Sequence, residues 1–219
     1  MHRRQNEPEQ LKPGFVLVSP MVKDAESFAP KLTAACRAGN VAAVILRLSS
    51  AGDADLLTRA RVLVPAVQAT GAAFLLDGLP QLVVPAAADG VHLGDSKAIQ
   101  SVKSELKDKH IVGAGGLANR HDAMVAGENG ADYVLFGEPD AAGRRPLLPA
   151  LVERVTWWAE LFKPPAIAYA GNLDEIETLV RAGADFIALG EEVIWNSPAG
   201  PAAALAAASV RLDASEPVK

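Results

Sequence analysis

Three observations predict an α/β fold, namely a parallel (β/α)8 TIM barrel in a single domain. A short pattern of Ala-Asp, any residue, apolar, any, apolar, Gly occurs at Ala88 to Gly94, Ala131 to Gly137 and Ala184 to Gly190. Each copy has the length of a buried strand that ends where a glycine lets the backbone turn. The copies start 43 and 53 residues apart, which leaves room for a helix, a further strand and another helix in each gap. They therefore read as every second strand of a repeating βα array. Finally, 219 residues without a linker or composition shift suit one barrel of roughly 27 residues per unit, slightly below the usual size.

Taken in chain order, apolar runs place strands near Phe15 to Pro20, Ala42 to Arg47, Ala72 to Asp77, Val91 to Leu93, Ile111 to Ala114, Tyr133 to Phe136, Ala166 to Ala170 and Phe186 to Leu189. Helices are predicted at Ala25 to Ala38, closed by Gly39-Asn40, and at Ala54 to Thr70, closed by Gly71. Ser96 to Leu106, Asn119 to Glu128, Pro149 to Phe162, Asp174 to Ala182 and Pro201 to Leu212 follow. Asp174, Glu175 and Glu177 in a first turn and Arg181 in a last turn suit the helix dipole. Between Leu79 and Ala87, Pro80 and Pro85 allow a short helix at most. A doubly wound sheet is the main competitor, but the first strand ends in Ser19-Pro20 without a GxGxxG turn. One domain over residues 1–219 is expected, with flexible tails at 1–13 and 213–219.

Composition narrows the function. Half of the residues are hydrophobic and 21% are charged, with 21 Lys plus Arg against 26 Asp plus Glu for a net charge of −5. This excludes disorder and lacks the basic footprint of a nucleic-acid binder, while a small phosphorylated ligand needs only one or two local cations. The single Cys36 cannot form an internal disulfide, and no Cys/His spacing resembles a zinc site, so a reducing, cytoplasmic location is expected. Gln5 to Gln10 is polar where an export signal needs an apolar stretch, and the Ala-rich segment Pro198 to Val210 is too short to cross a membrane. Trp157-Trp158 marks either burial against the barrel, the preferred reading, or the contact of a homo-oligomer.

Barrels of this kind carry chemistry at the C-terminal ends of their strands. The candidates there are Arg47, Asp77, His92 with Gly94-Asp95, Gly113 to Gly116, Gly137 to Arg145, Gly171-Asn172 and Gly190 to Glu192. Each has a plainer reading. Asp77 before Gly78 forms turns readily, Arg47 can pair with a neighbouring carboxylate, and Arg144-Arg145 can be a solvated pair. His92 points into the barrel if Val91 and Leu93 face the helices, where a satisfied interior histidine is commoner than a catalytic one. The glycines can offer backbone N–H groups to a phosphate or simply turn barrel corners.

From Phe15 to Ile194 the chain resembles the thiamine-phosphate synthase and thiazole tautomerase superfamily. Ala88-Asp89-Gly90-Val91-His92-Leu93-Gly94 is similar to that family's fourth-strand signature, supported by Gly130-Ala131-Asp132-Tyr133 with Gly137, by Ala168 with Gly171, and by Gly183-Ala184-Asp185. The resemblance implies a transferase that joins hydroxymethylpyrimidine diphosphate to thiazole phosphate and releases diphosphate with the help of Mg2+. Such chemistry needs cations around the leaving group, carboxylates for the metal and backbone donors for the second phosphate. It implies that Arg47 binds diphosphate as a catalytic cation, that Asp77 is the first Mg2+ carboxylate, and that Arg145, standing for a lysine after the sixth strand, is the second catalytic cation on the diphosphate. Further implied substrate contacts are His92, Lys97, Gly115, Gly171 and Gly190.

The chain also departs from the family pattern. Polar and charged neighbours of the second-strand arginine are Ile45, Leu48 and Ser49 here. The residues flanking the metal Asp are Leu76 and Gly78, and the second Mg2+ carboxylate is Lys97, leaving Asp95 as a substitute ligand. Gly115 replaces a serine, Ala170-Gly171 replaces a glycine pair, and Glu191-Glu192 stands where a Ser-Ala pair holds a phosphate. Leu117 occupies the position of the tautomerase histidine, with His121 four residues on. Two readings result: a synthase acting on small phosphorylated heterocycles, and a non-synthase relative that binds another ligand as carrier, regulator or interaction protein. An epimerase-type phosphosugar barrel ranks below both, for want of metal-ligating histidines.

Overall fold

A computed structural model describes residues 13–215. Of the flexible tails expected at 1–13 and 213–219, residues 1–12 and 216–219 lie outside the described residues, whereas Asp213 and Ala214 belong to the last helix. Eight parallel strands close into a barrel in sequence order: β1 (Gly14–Val22), β2 (Val41–Leu48), β3 (Ala73–Asp77), β4 (Gly90–Leu93), β5 (Ile111–Ala114), β6 (Tyr133–Phe136), β7 (Ala166–Ala170) and β8 (Phe186–Leu189). The β1–β8 ladder, with Gly14 opposite Phe186 and Leu17 opposite Leu189, completes the cylinder. The predicted (β/α)8 barrel is thus observed, and the ends of β5, β6, β7 and β8 coincide with those read from sequence.

The helices are α1 (Ala25–Arg37), α2 (Asp53–Gln68), α3 (Val83–Ala86), α4 (Ile99–Leu106), α5 (Arg120–Glu128), α6 (Leu148–Leu161), α7 (Glu175–Arg181) and α8 (Pro201–Ala214). Asp24 and Asn119 cap α1 and α5 by accepting the N–H groups of Ser27 and Asp122 at 3.1 and 3.0 Å. The proline-bounded connection holds a 3-10 turn at Pro80–Leu82 and the single turn of α3. A 3-10 turn at Ser96–Ala98 leads into α4, and α8 runs two residues beyond its expected end. A π-helical turn, Glu191–Trp195, was not expected and follows β8 directly.

Strand alternation sorts side chains into two cores. Val44 and Leu46 of β2, Phe74 and Leu76 of β3, and Val91 and Leu93 of β4 lie in the layer between strands and helices. Val16, Ile45, Leu75, Leu135 and Tyr169 fill the cylinder. The same parity turns Arg47, Asp77 and His92 inward at the C-terminal end. Trp158 is fully buried, stacked on Phe162 at 4.1 Å, and its indole N–H donates to the Pro164 carbonyl at 2.8 Å. The half-exposed Trp157 lies under the Arg120 guanidinium. Burial against the barrel is therefore what the pair does, at least for Trp158.

The repeated aspartates have a structural task. Asp89, Asp132 and Asp185 precede β4, β6 and β8, and their carboxylates accept the N–H groups of Phe74, Val112 and Ala166 at 2.7, 2.8 and 2.8 Å. Their own N–H groups donate to the carbonyls of the same three residues, each at 2.9 Å. Each aspartate therefore ties the start of an even strand to the strand before it, at the end of the barrel away from the candidate residues.

Candidate active site

Arg47 is held at the end of β2 by β1. Its backbone N–H donates to Ser19 Oγ at 2.8 Å and its Nε to the Ser19 carbonyl at 2.7 Å. Nη2 reaches across to Glu191 Oε1 at 3.2 Å, so the arginine does pair with a carboxylate, one from the turn after β8. Asp77 ends the neighbouring strand β3, in register with His92 of β4. Among the described residues its carboxylate makes no side-chain hydrogen bond or ion pair. Burial raises its pKa above the usual carboxylate value, with Glu138 adding to the effect and His92 and Arg47 opposing it.

His92 is a satisfied interior histidine. Nδ1 lies 2.8 Å from the Tyr133 hydroxyl, and Nε2 lies 3.3 and 3.4 Å from the two carboxylate oxygens of Glu138. Burial works to lower the imidazole pKa, but the Glu138 and Asp77 carboxylates outweigh it and hold the group above the ordinary histidine value. Glu138 shows the reciprocal shift: burial opposes ionisation, while His92 and the Gly116 N–H, 3.1 Å away, bring its pKa below the ordinary value. Gly115 makes this packing possible. A Cβ there would sit 2.1 Å from Glu138 Oε2 and 2.2 Å from His92 Nε2.

Arg145 fastens the loop after β6 to the end of β7. Its Nε donates to the Gly137 carbonyl at 3.1 Å, and Nη2 donates to the Tyr169 carbonyl at 2.6 Å and to Glu175 Oε2 at 3.1 Å. The guanidinium also stands over the Tyr169 ring, 5.2 Å from its centroid. Glu175 Oε2 accepts the Gly171 N–H as well, at 2.8 Å, so a side chain of this protein takes that backbone donor. Gly171 and Gly190 again clear space, since a Cβ would fall 1.7 Å from Arg145 Nη1 and 1.9 Å from the Tyr169 hydroxyl respectively. That hydroxyl donates to Glu192 Oε2 at 2.9 Å. Burial and the adjacent Glu192 carboxylate push the Tyr169 pKa up.

Lys97 is exposed on the rim, and its backbone N–H is capped by Asp95 Oδ1 at 2.9 Å. The structure thus gathers Arg47, Asp77, His92, Gly115, Arg145, Gly171 and Gly190 around one mouth and leaves Lys97 at its edge. Glu175 and Tyr169 were not among the candidates read from sequence, and Glu138 lay within the Gly137 to Arg145 stretch without a role of its own. Strand parity on β7 would have found Tyr169, and Glu138 follows the glycine that closes the second Ala-Asp repeat. Among the described residues, no group of three or more His, Cys, Asp and Glu side chains could hold a metal ion. One unpaired carboxylate beside an arginine still matches Mg2+, which is commonly held by one or two carboxylates together with substrate phosphates.

The sequence profile of the family described as thiamine monophosphate synthase matches residues 15–193. The chain belongs to this family. It is 44% identical over 193 residues to a thiamine-phosphate synthase of Rhodospirillum centenum, covering 87% of this chain and 93% of that one. A thiamine-phosphate synthase of Hyphomonas neptunium is 34% identical over 200 residues, covering 88% and 90%. Among solved structures, a thiamine phosphate pyrophosphorylase from Pyrococcus furiosus superposes with a TM-score of 0.77, covering 94% of this chain and 98% of that one at 22% identity. Orotidine 5'-phosphate decarboxylase from Pyrococcus horikoshii reaches 0.66 at 15% identity, covering 90% and 99%; both likenesses are of fold.

Proposed function

We propose that this member of the thiamine monophosphate synthase family is a transferase that joins hydroxymethylpyrimidine diphosphate to thiazole phosphate and releases diphosphate. The observation that carries the reading is the placement of Arg47 and Asp77 at the C-terminal ends of adjacent strands, both turned into the mouth. In this reading the Arg47 guanidinium takes the diphosphate, fixed in direction by Ser19, and Asp77 holds Mg2+. A bound Mg2+ would neutralise charge on the departing diphosphate. Lys97, on the rim, reaches the anion rather than the metal. The apolar cylinder below, with Val18, Ile45, Leu75 and Leu135, keeps water from beneath the reacting heterocycles. His92, Glu138 and Gly115 shape that floor, while Arg145, Gly171 and Gly190 shape the β6 to β8 side. The lone buried thiol of Cys36 supports a cytoplasmic setting.

The test is direct: purified protein supplied with both substrates and Mg2+ forms thiamine phosphate, alongside an authentic synthase as control. A negative result with an active control overturns the proposal. One observation favours the second reading, a relative that binds without catalysing: Glu191 already occupies Arg47, and Glu192 the Tyr169 hydroxyl. Mg2+-dependent thermal stabilisation by thiazole phosphate, together with rescue of a thiamine-requiring strain that lacks its synthase, counts against it.

A further inference from the structure

The charges that meet inside the mouth do not balance. Arg47, Arg145 and His92 face Glu191, Glu175 and Glu138 in pairs. Asp77 and Glu192 then remain as carboxylates without a cationic partner among the described residues, Glu192 being bound to a tyrosine hydroxyl. Even with His92 counted as protonated and Lys97 added from the rim, carboxylates outnumber cations. A polyanion entering such a mouth meets net repulsion, and the one arginine that could receive it from β2 is already neutralised at Nη2 by Glu191. The same excess of carboxylates attracts a divalent cation, and an anion that carries one has less negative charge and meets correspondingly weaker repulsion.

We propose that Glu191 makes anion binding at Arg47 conditional on a divalent cation, acting as a specificity-determining residue that admits metal-complexed diphosphate and rejects the bare anion. The inference rests on the site assignment proposed above and adds a role for a residue that neither that assignment nor the fold requires. Glu191 is suited to the task because it is partly exposed, with 41% of its side chain accessible against 27% for Arg47, and its contact is a single Nη2–Oε1 bond. Such a pair is weak enough to open when a ligand arrives, yet its carboxylate stays beside the site afterwards. Linkage makes the effect reciprocal: the anion strengthens metal binding by the same factor as the metal strengthens anion binding.

The experiment measures binding of inorganic diphosphate by calorimetry, with Mg2+ and with a chelator in its place, and so needs no turnover. In the parent protein Mg2+ tightens binding by about tenfold or more, within the usual range of coupling between sites. In Glu191→Gln the metal-free affinity rises and the ratio between the two conditions falls by roughly threefold to tenfold. Glu153→Gln removes the same charge from α6, away from the mouth, and keeps the parent ratio. An unchanged ratio in Glu191→Gln, or an equal change in Glu153→Gln, overturns the inference. Arg47→Gln separates the two levels. If it loses diphosphate under both conditions, the site assignment stands whatever Glu191 does; if it binds as the parent does, the assignment itself falls.

Discussion

At the N-terminal end of the barrel, Asp89, Asp132 and Asp185 accept backbone N–H groups of the preceding strand in three nearly identical arrangements. At the C-terminal end, Glu138, Glu175 and Glu191 face His92, Arg145 and Arg47 in three different arrangements. The first set binds main chain, which any repeat of the fold provides, and so recurs with the fold. The second is built on cationic side chains that occur once each, with Glu138 and Glu175 also accepting the Gly116 and Gly171 N–H groups. Regularity among these carboxylates marks scaffold, and irregularity marks the site.

Three substitutions test that division, from the largest expected effect to the smallest. Under the proposed function, Arg47→Gln lowers kcat/KM by about a hundredfold to a thousandfold, the usual cost of one preorganised donor to developing negative charge. Its melting temperature stays close to the parent's; a large drop would make Arg47 scaffold. Asp185→Ala behaves in the opposite way. Loss of its charge-assisted bond to the Ala166 N–H costs on the order of 2 kcal/mol of stability, read by denaturant titration, while turnover per folded molecule is retained. A stable but inactive Asp185→Ala protein would erase the distinction between the two ends.

Glu138→Gln has the smallest effect and a characteristic pH dependence. His92 is raised above its ordinary 6.5, so its pairing stabilises the fold below that pH and is lost as pH rises through the raised value. Glu138 is lowered below its ordinary 4.5, so its share is present above that pH and lost as pH falls through the lowered value. The stability difference between parent and variant is therefore full between pH 4.5 and 6.5 and shrinks on either side. A melting difference of about 2–4 °C is expected in that window, roughly 1 kcal/mol for a chain of this size. A flat difference across pH would show that the pair carries no charge.

The barrel was legible in the sequence because its signals are local. The alternation of β5 to β8 and the residues that bound them decide each strand within a few positions, so those strands begin and end where expected. Inward placement of Arg47, Asp77 and His92 follows from the same alternation. What the sequence did not disclose is who meets whom. Glu138 lies 46 residues from His92, and Glu191 lies 144 from Arg47; no periodicity connects them. Gly115, Gly171 and Gly190 show the same limit. A glycine advertises that a Cβ is unwelcome, but whether a ligand phosphate or a neighbouring His, Arg or Tyr fills the vacated space depends on side chains that arrive from other strands. The π-helical turn at Glu191–Trp195 is likewise set by its surroundings, with the Trp195 indole donating to the Val18 carbonyl across the closing seam.

The three aspartate ties have a consequence for the order in which the molecule assembles. Their partners are 15, 20 and 19 residues away, so each can close on a short loop at small entropic cost while the rest of the chain is still open. The pairing of Arg47 with Glu191 has no such route: it needs β1, β2 and β8 side by side, hence a finished cylinder. Two-strand modules can therefore form independently along the chain, whereas the mouth comes into being only at the last step, when β8 meets β1.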